Sequence, residues 1–294
     1  MLPSSFTPQF LNQLELFKIR ARRSFLGSRQ GGHLSPKRGH GIEFSDYRQY
    51  ELGDNPRHID WGVYGRTDRL YVKRFQEEQD LRVLLVVDGS ASMGQDSTDP
   101  KWERARDIAL ALGYIALMEQ DTVSAAILGS RTSPVLSGPR AVHQLGALFD
   151  QVVPGGEGNF ARDIQRAAAQ IKFPGVAVVI SDFLCPFEEV ERGFNALRSR
   201  NLDITAVQIL SDEDLRPFER GGDSAIAIDR ETSERVDVHF TPELRAEYQQ
   251  ILEDHCEQLR DFCAGARISY ALALTSESLG DWLQNILPRV GILR

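Results

Sequence analysis

Three polar residues follow the apolar, strand-like run LLVV. They are Asp88, Ser90 and Ser92, which stand at alternate positions. In an extended turn every second side chain points the same way, so these three oxygen-bearing groups can face one point. A second apolar run, VAVVIS, also leads directly into a carboxylate, that of Asp182. Carboxylate and hydroxyl oxygens are the ligands that Mg²⁺, Mn²⁺ and Ca²⁺ accept. The spacing therefore predicts a site for a divalent cation.

The same residues have a local interpretation. Asp88 and the two serines can cap the helix that begins near residue 101, or close their turn through side-chain to backbone hydrogen bonds. The metal site is favoured because both aspartates follow buried strands. In open parallel sheets, ligands collect at the carboxyl ends of the strands, near the point where the strand order reverses.

The elements that must position these side chains are predicted by hydrophobic periodicity. From residue 81 onward, short β-branched runs alternate with longer stretches of helical period, which is typical of βαβ units. We therefore predict an α/β fold with a doubly wound, mainly parallel, Rossmann-like sheet over residues 81–294. Residues 1–80 are predicted to form an N-terminal part with an amphipathic helix over residues 8–23, a loop over residues 27–41 and a small β-containing extension. The runs AIAID and RVDVHF predict a hairpin within residues 211–240.

The segment DGSASM and the later strand that ends before Asp182 resemble a von Willebrand factor A domain with its metal-ion-dependent adhesion site. That family's pattern also has a threonine in a glycine-rich loop. In this chain the loop PGGEGNF places Gly158 at the position of the threonine, and the neighbouring Glu157 can bring a carboxylate oxygen instead. The resemblance implies Mg²⁺ or another divalent cation held by Asp88, Ser90, Ser92 and Asp182, with Glu157 as the substitute ligand.

The segment from residue 41 to residue 88 carries the most specific pattern in the chain. Its G-x-E-F start, Arg-x-Tyr pair and Gly-Asp-x-x-Arg-x-Ile-Asp-Trp core resemble the signature of the domain of unknown function 58 family. The polar and aromatic members of that signature are Arg48, Asp54, Arg57, Asp60 and Trp61. We expect Asp54, Arg57 and Asp60 to form charge-assisted pairs that join this segment to the main domain. Trp61 is expected to anchor it by burying its ring.

The resemblance to this family implies a function in protein binding. Its members commonly accompany MoxR-type AAA+ ATPases, as partners or adaptors in chaperone-like maturation. Sites of the von Willebrand type bind a protein ligand whose exposed Asp or Glu completes the coordination of the metal. We therefore expect a non-enzymatic interaction module. The chain has no G-x-x-x-x-G-K-[ST] motif, so nucleotide hydrolysis is not predicted.

An enzymatic alternative is a metal-dependent phosphotransferase or hydrolase of the haloacid dehalogenase type, in which an aspartate after the first apolar strand attacks phosphorus. Such enzymes carry a second aspartate two residues after the first, where this chain has Ser90. A serine hydrolase is disfavoured because no G-x-S-x-G elbow follows a strand.

Composition bounds the remaining functions. The 294 residues carry a formal charge of −8, which argues against general binding of nucleic acid. The three cysteines form no C-x-x-C pair and so predict no disulfide framework or zinc site. No run approaches the roughly 20 apolar residues of a membrane-spanning helix. We therefore predict a cytoplasmic protein without an integral membrane anchor.

Overall fold

The computed structural model describes residues 2–21, 42–77, 81–94, 100–155, 158–171, 175–216, 224–228, 235–239 and 241–293. The chain divides into two compact units, one formed by residues 1–25 and 81–294 and the other by residues 26–80. The first helix, predicted to belong to the N-terminal part, instead belongs to the larger unit.

The strands are β1 (Ile42–Gln49), β2 (Tyr71–Glu77), β3 (Arg82–Val87), β4 (Thr122–Ile127), β5 (Leu136–Ser137), β6 (Val176–Ser181), β7 (Asp203–Leu210), β8 (Ser224–Ile228), β9 (Arg235–His239) and β10 (Ser269–Leu274). The helices are α1 (Pro8–Leu14), α2 (Trp61–Thr67), α3 (Lys101–Met118), α4 (Val142–Asp150), α5 (Phe160–Ala169), α6 (Phe187–Arg198), α7 (Asp212–Leu215), α8 (Pro242–Ala266), α9 (Leu279–Asn285) and α10 (Leu287–Val290).

The larger unit is built on a six-stranded sheet with the order β10-β7-β6-β3-β4-β5. All neighbouring pairs are parallel except β4 and β5, which run antiparallel at one edge. From β3 the chain moves outward to β4 on one side, and it later returns to place β6 on the other side of β3. The strand order therefore reverses between β3 and β6, where open α/β sheets form their ligand crevice.

Helices cover both faces of this sheet. Alternate residues of β3 belong to two different core clusters, with Val83, Leu85 and Val87 in one and Leu84 and Val86 in the other. The first cluster includes residues of α3, α4 and α9, and the second includes residues of α5, α6 and α8. Strands buried on both faces are apolar at successive positions, as the sequence of β3 shows. The prediction of an α/β fold with a mostly parallel sheet is confirmed.

The first helix is shorter than predicted. The apolar spacing predicted a helix over residues 8–23, but α1 ends at Leu14. Beyond it, Ile19 forms an antiparallel bridge with Leu293, and the N–H of Arg20 donates to the carbonyl of Ile292 at 2.8 Å. Tertiary pairing with the C-terminal segment therefore overrides the helical periodicity of this stretch.

Two smaller β-structures were also predicted. In the smaller unit, β1 pairs antiparallel with β2, and α2 lies between them in the chain. Strands β8 and β9 also pair antiparallel, which confirms the predicted hairpin pairing. The loop predicted over residues 27–41 lies outside the described residues.

Candidate functional site

The two predicted aspartates lie at the carboxyl ends of neighbouring strands. Asp88 follows β3 and Asp182 follows β6, and these strands pair in parallel with Val87 opposite Ile180. The backbone N–H of Asp88 donates to the carbonyl of Ile180 at 2.9 Å, which extends the pairing to the aspartate itself. Both carboxylates line one pocket of about 100 Å³ at this edge of the sheet.

The carboxylate of Asp88 is buried and held by two donors. Its Oδ1 accepts the N–H of Ser90 at 2.9 Å, and its Oδ2 accepts the hydroxyl of Ser181 at 2.6 Å. Burial and, to a lesser degree, repulsion from Asp182 raise the pKa of Asp88 to about 6, although the two hydrogen bonds act in the opposite direction. Ionisation of Asp88 is therefore less favourable in the folded protein than in the unfolded chain.

The two predicted serines present their hydroxyls together. Ser90 Oγ and Ser92 Oγ lie 3.0 Å apart, and both residues line the pocket with Asp88. The intervening turn needs Gly89, because a Cβ at that position would lie 2.9 Å from the carbonyl oxygen of Leu128. The alternate spacing therefore brings together the groups that the sequence predicted.

Asp182 forms an ion pair that no local sequence pattern predicted. Lys101, the first residue of α3, places Nζ 2.9 Å from Asp182 Oδ2 and 3.1 Å from Asp214 Oδ1. Burial acts to lower the pKa of Lys101, but the attraction of the two carboxylates outweighs it and raises that pKa. The site thus contains a buried ammonium group. In the sequence Lys101 shows only as the start of a helix, which is no signal for such a role.

The backbone turns sharply after Asp182. Phe183 has a φ of 55°, in the left-handed region that residues with a side chain rarely adopt, and its ring is fully buried. Its N–H donates to Ser181 Oγ at 2.9 Å, and its carbonyl accepts from His255 Nε2 at 2.7 Å. A strained turn held from both sides is typical of a functional site.

The glycine-rich loop contributes differently from the prediction. A Cβ at Gly158 would lie 3.1 Å from Asp163 Oδ2, so the carboxylate of Asp163 occupies the space next to the missing threonine side chain. Asp163 lines the pocket, and its Oδ2 accepts the N–H of Gly129 at 3.1 Å. An acidic residue in the first turn of a helix is common, so the sequence carried no signal for this placement. The predicted ligand Glu157 lies outside the described residues.

The donor set of this pocket fits a hard divalent cation. Among the described residues, no group of three or more His, Cys, Asp or Glu side chains is arranged to hold a metal ion. An ion would therefore depend on the hydroxyls of Ser90 and Ser92 as well as on the carboxylates of Asp88 and Asp182, and such an all-oxygen set suits Mg²⁺ or Mn²⁺.

The nearby thiol is not part of such a set. Burial, followed by the charges of Asp88 and Asp182, raises the pKa of Cys185 to about 12. A thiol with that pKa stays protonated at neutral pH, so without a bound metal Cys185 is not an activated nucleophile.

The predicted signature residues of the smaller unit pair differently from the expectation. Asp54 binds Arg48, with Oδ1 2.5 Å from Nη2, rather than Arg57. Arg57 is exposed. Trp61 does not bury its ring, because 62% of its surface is exposed.

Asp60 organises the local structure of this unit. Its Oδ1 accepts the N–H groups of Gly62 and Val63 and so caps α2. Its Oδ2 accepts the hydroxyl of Tyr47 at 2.8 Å and lies 3.0 Å from Lys73 Nζ. The hydrogen bonds from Tyr47 and Lys73 lower the pKa of Asp60 to about 2.

Comparison with known proteins decides the family. A family model described as protein of unknown function DUF58 matches residues 46–258, which is well over half of the chain. The chain belongs to the DUF58 family. The family predicted from the signature segment is thus confirmed.

Individual proteins also resemble this DUF58 chain over most of its length. "Uncharacterized protein Rv1480" of Mycobacterium tuberculosis is 26% identical over 98% of this chain and 90% of that protein. Among solved structures, the conserved hypothetical protein BatB from Bacteroides thetaiotaomicron is 13% identical with a TM-score of 0.43, over 71% of this chain and 98% of that one. An aerotolerance-related membrane protein from Bacteroides fragilis is 17% identical with a TM-score of 0.43, over 71% and 99% of the two chains. Likenesses at these scores carry no conclusion about the site of the DUF58 chain.

The predicted cytoplasmic location is contradicted by these comparisons. The structure from B. fragilis is described as that of a membrane protein. A structure from Vibrio fischeri is described as that of an uncharacterized membrane spanning protein; it is 12% identical with a TM-score of 0.19, over 69% of this chain and 96% of that one. A purely cytoplasmic location is therefore not assigned to the DUF58 chain. Within the described residues, no helix has the length and apolar character that crossing a membrane requires.

Proposed function

We propose that this chain is a non-enzymatic protein-interaction module with a von Willebrand factor A-like domain and a metal-ion-dependent adhesion-type site. The site is formed by Asp88, Ser90, Ser92 and Asp182, and it would hold Mg²⁺ or another divalent cation. One observation carries the proposal. The two serine hydroxyls lie 3.0 Å apart beside the buried Asp88, in the pocket that Asp182 also lines, where the strand order reverses.

The size of the pocket supports binding of a side chain rather than of a larger substrate. Its volume of about 100 Å³ lies well below the roughly 300–1,000 Å³ of pockets that enclose small-molecule ligands. A bound cation would offer positive charge to a carboxylate of the partner. The apolar side chains of Leu128 and Phe160 line the same pocket and would reduce competition from water for that contact.

The proposed partner is a MoxR-type AAA+ ATPase that presents an exposed Asp or Glu. Membership of the DUF58 family supports this part of the proposal, because the family resemblance implies such partners. The proposed process is chaperone-like maturation.

The cation is tested by titrating Mn²⁺ into metal-free protein and measuring free Mn²⁺ by electron paramagnetic resonance. We expect one binding site that Asp88→Ala abolishes and that the double variant Ser90→Ala, Ser92→Ala weakens. Asp261→Ala is the matched control, since Asp261 is an exposed carboxylate on α8. Equal Mn²⁺ affinities in the wild type and in Asp88→Ala would show that these residues do not hold the ion.

The partner is tested with a purified MoxR-type AAA+ ATPase from the same organism, in the presence of ATP. We expect binding in Mg²⁺ that is lost in EDTA and in Asp88→Ala, and retained in Asp261→Ala. Binding that is insensitive to both EDTA and Asp88→Ala would place the contact on another surface. Absence of binding by the wild type would refute the proposed partner.

The phosphotransferase alternative gains no support from the geometry. Ser90 stands two residues after Asp88, where such enzymes carry a second carboxylate, and its N–H is engaged with Asp88 Oδ1. Turnover of p-nitrophenyl phosphate that disappears in Asp88→Ala would reinstate this alternative.

A further inference from the structure

Lys101 is a buried cation in contact with one of the proposed metal ligands. Its side chain is 4% exposed, and that of Asp182 is 3% exposed. The ammonium donates to Asp182 Oδ2 at 2.9 Å and to Asp214 Oδ1 at 3.1 Å. A lysine buried to this degree keeps its charge only when carboxylates compensate it. Asp182 therefore carries a permanent counter-charge supplied by the protein.

The second carboxylate holds Lys101 in place. Asp214 Oδ2 accepts both the N–H and the hydroxyl of Ser211, each at 2.9 Å, and the N–H of Asp214 donates back to Ser211 Oγ at 3.0 Å. The carbonyl of Asp214 also accepts the hydroxyl of Tyr248 at 2.8 Å. Because hydrogen bonds with Ser211 and Tyr248 fix Asp214, Lys101 is anchored at a defined position beside Asp182.

Charge decides what this arrangement does to a divalent ion. The carboxylates of Asp88, Asp163, Asp182 and Glu189 line the pocket, and Lys101 offsets the charge of Asp182 specifically, because its ammonium lies 2.9 Å from that carboxylate. An ion bound to Asp182 would lie only a few ångströms from Nζ, since both would contact one carboxylate. Repulsion between two cations at such a distance in a partly buried site lowers a binding constant by on the order of tenfold or more.

We propose that Lys101 is an internal counter-cation that competes with the divalent ion for Asp182, so that the ion binds weakly until an acidic ligand adds negative charge. The inference rests on the proposed function, because it concerns the ion that Asp88, Ser90, Ser92 and Asp182 would hold. Lys101 acts on the ion through Asp182 and is therefore a positioning residue. Because Lys101 weakens binding of the cation alone, the cation and the carboxylate of the ligand bind cooperatively.

The test uses Mn²⁺ alone on the full-length, metal-free protein, with affinities from electron paramagnetic resonance and folding checked by circular dichroism. Lys101→Met removes the competing charge, and we expect it to bind Mn²⁺ about tenfold or more tightly than the wild type. Lys18→Met is the matched control, since Lys18 pairs with Glu119, which is not one of the proposed metal ligands. Unchanged or weaker binding by folded Lys101→Met overturns the inference.

A second variant changes the affinity in the opposite direction and covers the case in which Lys101→Met does not fold. Asp214→Asn keeps an oxygen for Ser211 but removes the charge that Lys101 shares, so more of the ammonium charge acts on Asp182. We expect several-fold weaker Mn²⁺ binding. Unchanged or tighter binding by Asp214→Asn contradicts the inference by itself.

The failure of this inference and the failure of the proposed site give different results. Mn²⁺ binding that Asp88→Ala abolishes, with no effect of Lys101→Met, overturns the role of Lys101 and leaves the site intact. Binding that Asp88→Ala leaves unchanged overturns the site. In a third case the wild type shows no measurable binding and Lys101→Met does bind Mn²⁺. If adding Asp88→Ala to Lys101→Met abolishes that binding, the role of Lys101 is supported. Absence of binding in both proteins overturns both proposals.

Discussion

The substitution Asp88→Asn tests whether the candidate site costs stability when no cation is bound. Asp88 is buried, and burial together with the nearby Asp182 raises its pKa from 3.8 to about 6. A raised pKa means that the folded protein binds the proton more tightly than the unfolded chain does. The contribution of Asp88 to the free energy of unfolding is therefore most favourable below pH 4, and it is lost as the pH rises towards and through 6.

The magnitude follows from the shift. Each pKa unit corresponds to about 1.4 kcal/mol, so a shift of about two units makes the ionised carboxylate cost roughly 3 kcal/mol above pH 6. Asparagine removes this cost but keeps only one acceptor oxygen, so one of the two hydrogen bonds from Ser90 and Ser181 is lost, which costs about 1 kcal/mol. We expect Asp88→Asn to be more stable than the wild type by about 2 kcal/mol at pH 7.5.

The assay is urea denaturation in EDTA at several pH values from 4.5 to 7.5, with Asp261→Asn as the exposed control. The stability difference between Asp88→Asn and the wild type should grow with pH over this range, because only the wild type carries the buried titrating group. A difference that does not change with pH, or an Asp88→Asn protein that is less stable than the wild type at pH 7.5, would refute the reasoning. The control Asp261→Asn should have the same pH dependence of stability as the wild type.

Four further substitutions test the structure. Gly175→Ala should destabilise by about 2 kcal/mol or more, because its Cβ would lie 2.3 Å from the backbone oxygen of Arg82. Gly265→Ala should stabilise by about 0.5–1 kcal/mol, because Gly265 lies in α8 and a Cβ there would meet no atom beyond the local helix within 4 Å. Urea denaturation measures both. Leu85→Ala should cost about 3 kcal/mol in the same assay, since Leu85 is fully buried in the central strand; a cost below 1 kcal/mol would contradict that packing. Asp60→Ala removes the cap of α2, so hydrogen exchange of the α2 amides should accelerate while β3 stays protected; unchanged exchange would show that the cap is dispensable.

The fold class and the two strand-end carboxylates could be predicted from the sequence because both depend on local pattern. Apolar runs such as that of β3 are needed where a parallel strand is buried on both faces, and a polar residue that ends such a run must emerge at the edge of the sheet. The alternate spacing of Ser90 and Ser92 likewise placed both hydroxyls beside Asp88. The signature segment predicted the family in the same way, from residues close together in the chain.

The partners of those carboxylates could not be predicted, because they come from distant parts of the chain. Lys101 meets Asp214 across 113 positions and Asp182 across 81. The exposure of Trp61 and the end of α1 at Leu14 also contradict what local pattern predicted.

The sequence by itself determined which residues are buried in strands and which polar groups leave their ends, since hydrophobic periodicity records the faces of each element. Only the tertiary structure decided which charges meet at the pocket. Strand order and helix packing bring α3 and α7 to the same edge of the sheet, and this proximity, which no local pattern encodes, sets the electrostatic balance of the site.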